Sequence, residues 1–255
     1  MRTTSFIIIV VMSVLCLGCK KGDSNAASND SSSGKSGSIA RMTIVGNYLY
    51  LVNHNDLKVY NIADPATMTL QKTISIGFEV ETIYPYNDKL FIGSTSAMYI
   101  YDISDPRNPA RQGTVSHIRA CDPVVTDGDY AYVTLRNNNA RCGGTQNVLN
   151  VYDVSGGKIL NPVLLSTTGL PQPYGLGVHD TTLYVCCGEA GLAVVNVKDK
   201  KKPEVKKVVT QGKNYSDVII VDNILFAYVT GGLALFDITD QQNPQFISEI
   251  KNNNL

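Results

Sequence analysis

The residues of this 255-residue chain that could do chemistry fall into two kinds, those that recur and those that occur once. Asp102 and Asp105, and again Asp237 and Asp240, are carboxylates three apart, a spacing that could serve general acid–base work. Both pairs belong to a string that the chain repeats. It reads LKVYNIADP from Leu57, MYIYDISDP from Met98, LNVYDVSGG from Leu149, LAVVNVKDK from Leu192 and LALFDITDQ from Leu233. A catalytic pair is needed once, so recurrence points to a structural role. Asp and Asn side chains accept hydrogen bonds from backbone N–H groups two residues on and so fix turns. The aligned positions Asn61, Asp102, Asp153, Asn196 and Asp237 interchange the two types, which share that acceptor but not the charge.

The elements behind the string follow from its spacing. The five aligned positions lie 41, 51, 43 and 41 residues apart. A second string (NYLYLV, DKLFIG, DYAYVT, TTLYVC, NILFAY) precedes each copy at a near-constant distance, except in the third. That copy therefore carries an insertion of about ten residues within 136–150. A third apolar stretch comes before and a fourth after, such as TIYPY and VKKVV, so each unit is four short strands joined by turns. Runs such as Leu233-Ala234-Leu235-Phe236 suit sheets packed on both faces. Radial repetition of such sheets is a β-propeller. The expectation is an all-β, five-bladed propeller of four-stranded antiparallel blades, near 39–77, 78–117, 118–170, 171–212 and 213–251. Each blade comes from one contiguous unit, so ring closure is expected to rest on packing of blade 5 against blade 1.

The strings carry a family resemblance. A strand followed by L-x-V-x-D-[IV]-[ST]-D-P-x-x-P resembles the LVIVD repeats of bacterial and archaeal cell-surface proteins, over nearly all of residues 39–251. The fullest copies are YIYDISDPRNP from Tyr99 and LALFDITDQQNP from Leu233, whereas the third has Ser155-Gly156-Gly157 in place of Asp-Pro. The resemblance implies a propeller in an extracytoplasmic setting and no agreed activity. Trp-Asp repeats have a similar period, but this chain contains no Trp.

The first forty residues read as an address. Arg2 precedes an apolar run over residues 6–17 (FIIIVVMSVLCL). Twelve helical residues rise only about 18 Å against a hydrocarbon core of about 30 Å, which favours a signal peptide over a permanent span. LCLGC then resembles the lipobox of bacterial lipoproteins, with Cys16 where Leu is usual. That resemblance implies removal of residues 1–18 and acylation of Cys19 by chains such as palmitate, an anchor worth about 0.8 kcal/mol per buried CH₂. Residues 19–38 are the lipidated cysteine and a Ser/Gly/Asn-rich stretch that reads as a flexible tether. Lys20, not Asp, after the cysteine points by analogy to the outer membrane, on its periplasmic or surface face.

Functional residues must be those that break the repeat. Loops entering the innermost strands, and those between second and third strands, gather on one face of a propeller. They bring there Glu81, Arg119, Asp122, Arg136, Arg141, Tyr174, Tyr215 and Asp217, together with the insertion, as the candidate partner face. Four cysteines remain in the body, an even number suited to disulfides in an exported protein. Cys121 and Cys142 open on the same face of one blade and form the favoured bridge. Cys186 and Cys187 are left as free thiols or a vicinal pair, and a Cys142–Cys187 bond is the alternative.

Charge and motifs narrow the function. With 22 basic and 22 acidic residues the chain has no electrostatic footprint for nucleic acid. It has no phosphate-binding Gly loop, no nucleophile elbow and no H-E-x-x-H, so no cofactor or metal is expected. The expectation is a non-catalytic binding or scaffolding module for a protein or glycan, held to a membrane through Cys19. The alternative is a glycoside hydrolase or lyase using Glu81, Asp122 and Asp217 at the channel mouth. That reading needs two carboxyls within about 5–10 Å of each other.

Overall fold

The computed structural model describes residues 37–117, 123–137 and 145–252. They form a five-bladed β-propeller, each blade a four-stranded antiparallel sheet. Blade 1 holds β1 (Met42–Val45), β2 (Tyr48–Asn53), β3 (Asp56–Asn61) and β4 (Thr69–Ser75). Blade 2 holds β5 (Val80–Tyr86), β6 (Lys89–Ser94), β7 (Ala97–Asp102) and β8 (Ala110–Ser116). In blade 3, β9 (Val124–Thr126), β10 (Tyr130–Leu135) and β11 (Val148–Asp153) precede a short 3-10 turn and β12 (Val163–Gly169). Blade 4 is β13 (Leu176–His179), β14 (Thr182–Cys186), β15 (Leu192–Asn196) and β16 (Glu204–Val209). Blade 5 is β17 (Tyr215–Val221), β18 (Ile224–Val229), β19 (Gly232–Asp237) and β20 (Gln245–Lys251). Strand order within every sheet is sequential, so no strand is exchanged between blades.

The repeated string builds the same turn in each blade. The Oδ1 atoms of Asn61, Asp102, Asp153, Asn196 and Asp237 accept the backbone N–H two residues on, at 2.8–3.0 Å. In four blades the second carboxylate does likewise: Asp64, Asp105, Asp199 and Asp240 accept from Ala66, Arg107, Lys201 and Gln242. Blade 3 lacks that carboxylate, and Lys158 Nζ bonds Asp153 instead. After the turn the outermost strand carries one extra residue opposite the partner pairs Val59/Tyr60, Ile100/Tyr101, Val151/Tyr152, Val194/Val195 and Leu235/Phe236. A bulge repeated in every blade increases the twist that a radial blade needs.

Four apolar layers join consecutive blades. Tyr50 and Val59 of blade 1 meet Ile83 and Tyr101 of blade 2. Phe91 and Ile100 meet Val133 and Tyr152 of blade 3, and Tyr132 and Val151 meet Leu183 and Val195 of blade 4. Tyr184 and Val194 meet Leu225 and Phe236 of blade 5. Polar contacts reinforce these joints at the turns. Tyr50 Oη donates to the Pro106 carbonyl at 2.9 Å and Tyr184 Oη to the Gln241 carbonyl at 2.7 Å. Lys207 Nζ donates to Asn243 Oδ1 at 2.6 Å, and Ser166 Oγ to the Lys200 carbonyl at 2.7 Å.

The two terminal blades depart from the expectation of closure by packing. The central strands of blades 2, 3 and 4 are almost wholly buried, as strands with a neighbour on each face must be. Those of blades 1 and 5 are buried only at alternate positions. In the run Leu233–Phe236, read from sequence as buried on both faces, only Ala234 and Phe236 are buried. Among the described residues no apolar layer spans blade 5 and blade 1. What bridges that seam is polar and comes from the residues before β1.

Candidate binding face

The starts of the innermost strands define one face of the propeller. There the chain enters the body: Ser38 Oγ donates to Asp217 Oδ1 at 3.0 Å and accepts the Leu176 N–H at 2.8 Å. Ile39 N–H points to Asp217 Oδ2 at 3.4 Å, and Ala40 offers its carbonyl to Ile83 N–H at 2.9 Å. Residues 38–40 thus touch blades 2, 4 and 5 across the channel. Gly37 and Ser38, read from sequence as the last residues of the tether, are buried in the body. Both glycines lie against that carboxyl: a Cβ at Gly37 would lie 2.0 Å from Asp217 Oδ2, and one at Gly175 would lie 2.1 Å from Oδ1 and 2.9 Å from the Asp217 Cα, so a side chain at either would displace it.

Asp217 is therefore roofed over. Burial pushes its carboxyl up to about 6, against the lowering effect of hydrogen bonds from Val218, Ser38 and Ile39. Glu81 lies elsewhere on this face. It is the extra residue of a bulge, since Val80 pairs with Ser94 and Thr82 with Gly93. It lines a small hollow of about 80 Å³ with Arg41, His54, Glu79 and Val80. The two carboxylates belong to separate environments, Asp217 at blades 4 and 5 and Glu81 beside blade 1. Asp122, Arg119, Arg141 and the Cys121–Cys142 bridge lie outside the described residues, as does Cys19.

Two other candidates do come together. The Arg136 guanidinium lies 3.8 Å from the centroid of the Tyr174 ring, a stacked cation–π contact between the end of β10 and the loop entering β13. Thr134 Oγ1 fixes that loop by donating to the Tyr174 carbonyl at 2.7 Å, and Tyr174 N–H bonds the Cys186 carbonyl. Arg136 and Tyr174 are both half-exposed, so the stack is reachable from solvent. It borders the blade 3 insertion. Tyr215, by contrast, is fully buried, and its hydroxyl has no hydrogen-bond partner among the described residues. Burial pushes that phenol up to about 12, and it acts as core rather than as a contact residue.

Cys186 and Cys187 are buried free thiols. Burial pushes Cys187 up to about 12 and raises Cys186 as well, so neither is the thiolate that metal binding or nucleophilic attack needs. Among the described residues no group of three His, Cys, Asp or Glu side chains could hold a metal ion. The larger hollow, about 440 Å³, opens at the other end of the channel and is lined by Tyr84, Tyr86, His179, Ile219 and Asp222 among others. Asp222 is its one carboxylate among the described residues.

Sequence reasoning missed Gly37, Ser38 and Gly175, whose importance lies in what they enclose. The string GKSGS resembles the spacer before it, and nothing in it marks where order begins.

Comparisons with known proteins agree with this architecture. The LVIVD repeat matches residues 34–75, which contain the first copy rather than the fuller second and fifth. No curated protein matches the chain. Among solved structures it is similar to a Lactobacillus plantarum protein at 14% identity (TM-score 0.65, covering 81% of this chain and 73% of that one). It is also similar to the periplasmic gluconolactonase PpgL of Pseudomonas aeruginosa at 13% identity (TM-score 0.63, covering 81% and 68%). A computationally designed protein, Ika8, matches at 12% identity (TM-score 0.60, covering 82% and 60%). The chain thus spans about three fifths to three quarters of the length of these structures, and at such identities the likeness is one of fold. The repeat match and the five blades together support an LVIVD-repeat β-propeller family for this chain.

Proposed function

We propose that this protein is a lipid-anchored, extracytoplasmic propeller that binds or scaffolds a protein or glycan partner without catalysis. The observation that carries the reading is the Arg136–Tyr174 stack. It is half-exposed, it breaks the repeat, and it joins blade 3 to the loop that enters blade 4. A flat aromatic ring offers a stacking surface to a sugar or a side chain, and the guanidinium beside it can pair with a carboxylate. Such a site binds; it supplies no nucleophile. The carboxylate best placed at the channel mouth, Asp217, has its oxygens turned to Ser38 and Ile39 rather than to a cleft. This weighs against the glycosidase alternative, which needs a facing pair.

The signal peptide, acylated Cys19 and tether give the module its address on the outer membrane. A coil of about twenty residues has a root-mean-square span near 25 Å. A tether of that reach holds the module a short distance off the membrane.

The test is a glycan array together with capture from envelope fractions, run with the full chain and with Arg136→Ala and Tyr174→Ala. Specific retention by the wild type that either variant reduces tenfold or more supports the reading. Retention equal in all three, or turnover of an array glycan, overturns it.

A further inference from the structure

The two ends of the channel are built differently. At the loop-rich face residues 38–40 enter it and bond the inner edges of two innermost strands. The Ala40 carbonyl accepts the Ile83 N–H of β5, and Ser38 Oγ accepts the Leu176 N–H of β13. Backbone groups alternate in direction along a strand, so Pro85 and Val178, two residues further on, turn theirs to the same side. Pro85 has no N–H and offers only its carbonyl. Both residues line the hollow of about 440 Å³ at the opposite end, a volume within the range of small-molecule sites, about 300–1,000 Å³.

Packing holds the two tyrosines of this hollow in place. Tyr84 lies against the apolar layers on both sides of blade 3. Gly128 lies against the Tyr86 ring, where a Cβ would stand 2.7 Å from Cε1. Both tyrosines are half-buried, and neither hydroxyl has a hydrogen-bond partner among the described residues. Burial, with the Tyr86 phenol beside it, raises the Tyr84 phenol, which stays neutral and can accept as well as donate. Asp222 stands at the rim, exposed and with no ion pair or hydrogen bond to its carboxylate among the described residues. Its turn has no need of the charge. Asn87, Asp180 and Asp222 open equivalent turns with φ of 50°, 48° and 53°, a conformation that Asn and Asp serve alike. Asp180 accepts Gln241 Nε2 at 2.7 Å, whereas Asp222 is left to the solvent. No Lys or Arg lines the hollow among the described residues.

We propose that this hollow binds a small organic ammonium ion, its apolar body against Val178, Ile219 and Ile220 and its amine toward Asp222 and the tyrosines. The polar groups agree in sign. Aromatic faces attract cations, the phenol oxygens and the Pro85 carbonyl accept from an ammonium, and Asp222 supplies the counter-charge. An anion would meet that carboxylate with no Lys or Arg to offset it. The apolar lining favours a ligand that carries a hydrocarbon body over a bare inorganic cation. The site lies at the opposite end of the channel from the Arg136–Tyr174 stack and is independent of it.

Isothermal titration calorimetry of the purified full chain in detergent, at neutral pH, tests this with 2-phenylethylamine, 2-phenylethanol and phenylacetate. The three probes share an apolar body and differ in charge. The amine should bind saturably with a Kd under about 1 mM. It should bind about fivefold or more tightly than the alcohol, and the acid should bind more weakly than either. Asp222→Asn should bring amine and alcohol within about twofold of each other. Asp129→Asn, which removes an exposed carboxylate from the equivalent turn of blade 3, and Tyr174→Ala should leave amine binding unchanged. Asp222 and Asp129 are both exposed, so neither change disturbs the fold, as circular dichroism would verify. No saturable binding of the amine, a preference for it that survives Asp222→Asn, or an equal loss in Asp129→Asn or Tyr174→Ala overturns the proposal.

Discussion

Asp217 shows how much of a residue's behaviour comes from what lies over it. It is a carboxyl at the mouth of a channel, yet Gly37, Ser38 and Gly175 enclose it, and burial raises its pKa to about 6. A folded-state pKa above the ordinary value means that its contribution to stability is full at low pH and is lost as pH rises through about 6. A carboxyl raised that far above its ordinary range contributes about 2–3 kcal/mol. Between about pH 4 and pH 7, urea denaturation followed by circular dichroism should show the wild type losing about that much relative to Asp217→Asn. Equal pH dependence in the two proteins would mean that the carboxyl is not enclosed. The repeated carboxylates behave in the opposite sense. Hydrogen bonds from Ser104 and Lys89 hold Asp102 down at about 2, in keeping with a role in a turn rather than in proton transfer.

The four-strand unit was legible in the sequence because the apolar strings recur at fixed spacing and because Asp and Asn exchange at Asn61 and Asn196. Two things at this scale were not. Leu235 reads the same whether or not a blade packs on it, so the open faces of blades 1 and 5 were invisible in the runs that contain them. Arg136 and Tyr174 are assigned to one face by loop position, but their stacking depends on how blade 4 is set against blade 3, a tertiary relation no string records. The joints between blades can be probed one bond at a time. Tyr184→Phe deletes the hydrogen bond to the Gln241 carbonyl without opening a cavity. It should lower stability by about 1 kcal/mol, read as a fall in urea midpoint with unchanged slope. An unchanged midpoint would show that the apolar layer alone sets the joint, as where Phe91 occupies the equivalent position.

At the scale of the whole molecule, the proposed anchor at Cys19 can be tested apart from the fold. Labelling of the full chain with a palmitate analogue should succeed in the wild type and fail in Cys19→Ser, with the variant moving from the membrane to the soluble fraction. Labelling that survives the substitution would place the anchor elsewhere. The proposed role depends most heavily on Arg136 and Tyr174 as the surface that meets a partner. The affinity of whatever protein or glycan the wild type retains, titrated side by side against wild type and Tyr174→Ala, tests that claim most directly. Binding weakened tenfold or more, with an unchanged circular dichroism spectrum, is the result predicted. Equal affinity for the two proteins would contradict it.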